Sequence, residues 1–107
     1  MEPHRLAEER SIAYHRAVAA RLDHDPALLT VARERVRAWL AREPPPHYAR
    51  RWDEVLSAPL PEIVAFLSDP GEAARELRQS TPFAGMIPAR ERWRIWREVR
   101  ARTERPS

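Results

Sequence analysis

Asp25-Pro26-Ala27-Leu28-Leu29-Thr30-Val31-Ala32-Arg33-Glu34-Arg35-Val36-Arg37-Ala38-Trp39-Leu40-Ala41-Arg42-Glu43-Pro44-Pro45-Pro46 carries one complete helix with both ends marked. Asp25 stands where an N-cap acid belongs, and Pro26 takes the first helical position, where its missing N–H costs nothing. Leu28, Leu29, Ala32, Val36, Trp39 and Leu40 recur every three or four residues and form one apolar stripe, while Arg33, Glu34 and Arg37 face water. Three consecutive prolines then end the helix, because they offer no N–H and stiffen into an extended corner.

The same punctuation repeats in both directions. Upstream, Ile12, His15, Val18, Ala19 and Leu22 line one side of a helix from about Arg5 to Leu22. Downstream, Tyr48, Trp52, Val55 and Leu56 mark a third helix, which Pro59 and Pro61 break. Pro61 starts a fourth, with Ile63, Val64, Phe66 and Leu67. Asp69-Pro70-Gly71-Glu72 sets up a capping box for a fifth that buries Ala73, Ala74 and Leu77. Ser80 to Ile87 reads as a loop, in which Gly85 permits the positive φ that reverses the chain. Pro88 opens a sixth helix holding Trp93, Ile95, Trp96 and Val99 on one side. No stretch alternates as a strand does. The expectation is an all-α fold, a single domain of about six short helices over residues 1–107, with 103–107 frayed.

Composition excludes much chemistry. The chain has 107 residues, 43% hydrophobic and 33% charged, and its 19 basic side chains are all arginine. Without lysine there is no Schiff base and no phosphate-loop lysine. Without cysteine there is no thiol nucleophile, disulfide or Cys-type zinc site. Two distant glycines build no phosphate cradle. Asp23-His24-Asp25 has no second cluster at metal spacing. Tyr14-His15 and His47-Tyr48 lack an activated nucleophile beside them. No enzyme activity, cofactor or metal is expected. Apolar runs fall far short of the ~18 residues that cross a bilayer. Met1-Glu2-Pro3-His4 also lacks a signal-peptide pattern, so no membrane association and a cytoplasmic location are expected.

Charge is unevenly spread. Residues 1–85 hold twelve Arg against thirteen acids, and residues 86–107 hold seven Arg against three Glu. Two segments therefore stand out. The Ser80–Ile87 loop carries Phe83 and Met86, which either plug the domain's own core or insert into a partner. The last helix presents Arg90, Arg94 and Arg97, suited to a partner's carboxylates by the planar guanidinium fork. Phe83, Met86, Arg90, Arg94 and Arg97 are thus the candidate partner-binding set, with an apolar anchor ringed by arginines.

The alternative is a nucleic-acid-binding module using Arg75, Arg78, Arg90, Arg94, Arg97 and Arg102, with the tail arginines on phosphates. Ile63 to Gln79 has the lengths of a helix–turn–helix, but Glu72 and Glu76 at the front of its second helix would repel phosphates. A third arrangement is a homodimer joined through an exposed tryptophan face.

Tyr48 to Val99, above all Leu77-Arg78-Gln79-Ser80-Thr81-Pro82-Phe83-Ala84-Gly85 and the following Glu91-Arg92-Trp93, resembles small bacterial helical proteins associated with toxin–antitoxin modules. The resemblance implies a protein that binds and neutralises a cognate toxin, and the arginine face adds that the toxin's surface is acidic. The N-terminal half departs from the usual plan, having no ribbon–helix–helix strand and no convincing helix–turn–helix for operator binding.

Overall fold

Apolar spacing and proline corners place the helices where the structure has them. The computed structural model describes residues 3–104. Six helices follow in order: α1 (Pro3–Arg21), α2 (Ala27–Leu40), α3 (Ala49–Leu56), α4 (Leu60–Leu67), α5 (Glu72–Arg78) and α6 (Ala89–Glu104). Among the described residues there is no strand, and the chain is all-α. No described helix is long and apolar enough to cross a membrane. Thr103 and Glu104 continue α6 instead of fraying, and 105–107 lie outside the described residues.

Two expected caps are built differently. Asp25 does not cap α2 with its side chain. Its N–H is held by the Arg21 carbonyl at the end of α1, and its own carbonyl accepts from Leu28 N–H at 3.2 Å. The Pro26 carbonyl serves Leu29 and Thr30, so backbone groups satisfy the orphan first-turn amides. At α5 the capping box does not form. The Asp69 carboxylate accepts from Gly71 N–H at 2.8 Å, closing an Asx turn two residues long.

α1 is the central post, packed against α6, α4 and α5, while α2 lies against α3. All six helices feed one core: Val18 from α1, Val36 from α2, Trp52 from α3, Ile63 from α4, Leu77 from α5 and Val99 from α6. Trp52 is fully buried and donates its indole N–H to the Leu77 carbonyl at 3.2 Å, so the ring enters the core without an unpaired polar atom. Arg33 forks onto the Leu56 carbonyl with Nε and Nη2 at 3.0 and 2.9 Å and ties α2 to the end of α3. In α5, Ala74 and Leu77 point inward as expected, but Ala73 is exposed and Arg78 is buried instead.

Candidate interaction surface

The loop between α5 and α6 is fastened by three side chains from two helices. Tyr14 in α1 donates its hydroxyl to the Phe83 carbonyl at 2.5 Å and accepts from Met86 N–H at 3.1 Å. His15, the next residue, accepts from the Thr81 hydroxyl through Nε2 at 2.7 Å and donates from Nδ1 to the Ser11 carbonyl at 2.7 Å. The Ser11 carbonyl can only accept, which fixes that tautomer. Thr81 Oγ1 in turn accepts from Phe83 N–H at 3.1 Å. From α2, Arg35 donates Nη1 to the Pro82 and Ala84 carbonyls at 2.9 and 2.7 Å. Gly85 then reverses the chain at φ +74°, as its lack of a Cβ allows.

This geometry corrects the expectation for Phe83. Its ring is 0% exposed and meets Trp52 and His15 edge-on at centroid separations of 6.2 and 6.4 Å. Its carbonyl is tied to Tyr14 of α1 and its N–H to Thr81, which His15 holds, so the ring has no route to a partner. Met86 is half-buried against the same core. The loop closes the domain's own core, and Phe83 is removed from the candidate surface.

The last helix has a different exposed face from the one its sequence suggests. Ile95 and Val99 are buried, and Trp96 is half-buried beside Tyr14, with the Arg10 guanidinium 5.8 Å above its ring. Trp93 does not join them, for it is 63% exposed. Two positions along a helix turn a side chain about 200°, so residue 93 faces away from residue 95. Trp93 sits instead among Arg90, Arg97 and Arg100, which stand three, four and seven residues away on the same face. The ring and the cations therefore share one side.

Ion pairing leaves part of this charge uncompensated. Arg94 reaches Glu91 at 3.6 Å and Glu98 at 4.0 Å, and Arg100 reaches Glu104 at 2.9 Å. Glu91 is also bound by Arg21 of α1. Among the described residues no carboxylate lies within 4 Å of Arg90 or Arg97. These two flank a depression of about 510 Å³ whose lining Pro88, Glu91 and Arg94 complete, Glu91 being held by Arg94 and by Arg21 of α1.

The alternative set is dispersed. Arg102 is exposed and borders a groove of about 570 Å³ between α1 and α6, apart from the Trp93 face. Arg75 is bound to Glu8 at 3.3 Å. Arg78, expected on the exposed side of a reading helix, is 2% exposed and turned inward toward α4, where Nη1 meets the Phe66 carbonyl. It cannot contact a groove of DNA, and the α4–α5 pair loses one of its two basic reading residues. Among the described residues no group of three His, Cys, Asp or Glu side chains gathers at metal-binding distance.

Trp93 and Arg100 are the surface residues that sequence reasoning missed. The available signal was the two-residue offset between Trp93 and Ile95, which puts them on opposite sides of a helix. No family model, no curated protein and no solved structure matches this chain.

Proposed function

We propose that the protein is a small helical interaction module, the antitoxin-like half of a pair, which binds and neutralises an acidic partner protein in the cytoplasm. The supporting observation is Trp93, 63% exposed at the centre of the Arg90, Arg97 and Arg100 face. Tryptophan encircled by arginine is the composition enriched at binding hot spots. α6 offers a contact about 24 Å long, the span of a recognition helix. Trp93 takes the anchoring role, and Arg90 and Arg97 fork onto carboxylates of the partner, with Arg94 at the rim.

Charge balance favours a protein over a polyanion. Glu91, Glu98 and Glu104 already hold Arg94 and Arg100, which leaves Arg90 and Arg97 as the flanking cations to meet a few acids. A second copy of this chain would bring arginines against arginines, which disfavours a homodimer through this face. The second reading, a single strand of nucleic acid stacked on Trp93, draws on the ring and cations sharing one side.

The test is affinity capture from the source cells with wild-type and Trp93→Ala chains, followed by titration of the recovered protein. The expected outcome is one acidic protein whose affinity falls roughly 30-fold or more with Trp93→Ala, the size of a hot-spot truncation. The variant's thermal stability should stay unchanged, because the ring is largely in solvent. Capture indifferent to Trp93→Ala overturns the proposal. Retention of single-stranded DNA with affinity that falls steeply as salt rises transfers the surface to the second reading.

A further inference from the structure

Arg78 has a buried cation's problem without a buried cation's usual solution. Its side chain lies at the C-terminal end of α5 and is 2% exposed, yet its sole side-chain hydrogen bond among the described residues runs from Nη1 to the Phe66 carbonyl at 3.3 Å. Nε and Nη2 are closed off from solvent and find no acceptor among the described residues. No described carboxylate lies within 4 Å of it. Burial lowers its pKa, Asp69 opposes this at longer range, and the neighbouring Arg16 and Arg75 charges lower it further. A guanidinium taken out of water costs far more than one long carbonyl contact returns, and a buried polar group left this way calls for an ion.

The same side chain forms part of a cavity of about 380 Å³ between the N-terminal turns of α1 and the start and end of α5. Arg5 and Arg75 line it with Arg78, and Glu8, Glu9 and His4 share the wall. Glu8 is already engaged, at 3.0 Å by His4 and 3.3 Å by Arg75. Guanidinium groups thus approach one space from two helices, and their planar forks match the oxygens of a tetrahedral anion. We infer that this cavity is a binding site for a phosphate group, held by Arg78 at its floor and by Arg75 and Arg5 at its mouth. Nε and Nη2 are shut off from the space that the side chain lines, so the anion reaches them as the Arg78 side chain turns toward the cavity, with Glu9 a competing carboxylate on its wall. The site is separate from the α6 face and independent of the function proposed for it.

The test is the melting temperature of the full chain at constant ionic strength, with inorganic phosphate, glycerol phosphate, acetate or chloride as the varied anion. A saturating rise in phosphate or glycerol phosphate, absent in acetate and chloride, is expected from ligand binding to the folded state alone. The tighter of the two phosphates identifies the source as the free ion or a monoester. Arg75→Gln should weaken the response about tenfold, and Glu9→Gln should strengthen it by removing a competing carboxylate. Both changes are on partly exposed side chains, so they keep the test open if Arg78→Met fails to fold. Where Arg78→Met does fold, the response should vanish, while Trp93→Ala should leave it intact. An equal rise in acetate or chloride, or a phosphate response unaltered by Arg75→Gln, overturns the assignment.

Discussion

His15 shows how one buried side chain sets a property of the whole fold. It is 2% exposed, and burial pushes its pKa from 6.5 down to about 4, opposed by the bond to Ser11 and aided by the nearby Arg78 charge. The unfolded chain therefore takes up a proton near pH 6.5 that the folded chain refuses until about pH 4. Between those values the unfolded state binds more protons, so stability rises with pH. Stability is complete above pH 6.5 and falls by roughly 3 kcal/mol as the pH drops to about 4. Urea unfolding at pH 7 and pH 4.5 should show a loss in the wild type that exceeds the loss in His15→Gln by most of that amount. An equal loss in both proteins would mean that His15 is protonated in the folded state.

Among the elements, the α5–α6 loop and α6 exchange the roles their sequences suggest. Phe83 lies in the longest stretch without helical pattern, where an apolar ring looks available, and it is sealed inside. Its burial depends on Tyr14, His15 and Arg35, which lie 69, 66 and 47 positions away from the loop groups they bind. No local pattern announces such partners. Phe83→Ala should cost about 3–5 kcal/mol, the usual cost of emptying a packed aromatic site, read as a fall in the urea midpoint at unchanged slope. A midpoint close to wild type would contradict the closed loop. In α6 the opposite holds, since Trp93 looks like core by residue type and is on the surface by helical phase.

At the level of the complete chain, one core takes side chains from every helix: α1 packs against α4, α5 and α6, and the α2–α3 pair joins them where α3 meets α4. Nothing in this arrangement lets α2–α3 keep its buried face without the rest, because Trp52 and Val36 belong to the same cluster as Val99 and Val18. Unfolding should therefore be a single transition. Far-UV circular dichroism reports all helices, and tryptophan emission reports Trp39, Trp52 and Trp96 on three of them. Their urea curves should superimpose, and separate midpoints would divide the chain into independent units. The radius of gyration, 14.5 Å against the roughly 13 Å of an average chain this long, fits an elongated body with extents of 46 × 30 × 24 Å.

The helices and their corners were legible from residues a few positions apart. Proline removes a donor wherever it stands, and a stripe such as Leu28, Leu29, Ala32, Val36 needs burial whatever covers it, so all-α architecture follows locally. The inward faces of α1 through α4 came with that pattern. Which apolar ring is hidden and which cation is stranded did not. Phe83 and Arg78 take their places from partners supplied by distant segments, Tyr14 and His15 for the first and α4 and α1 for the second, whereas helical phase alone sets Trp93 on the solvent side of α6. Burial is a property of what packs across a residue, and periodicity along one helix specifies only the direction in which its side chain points.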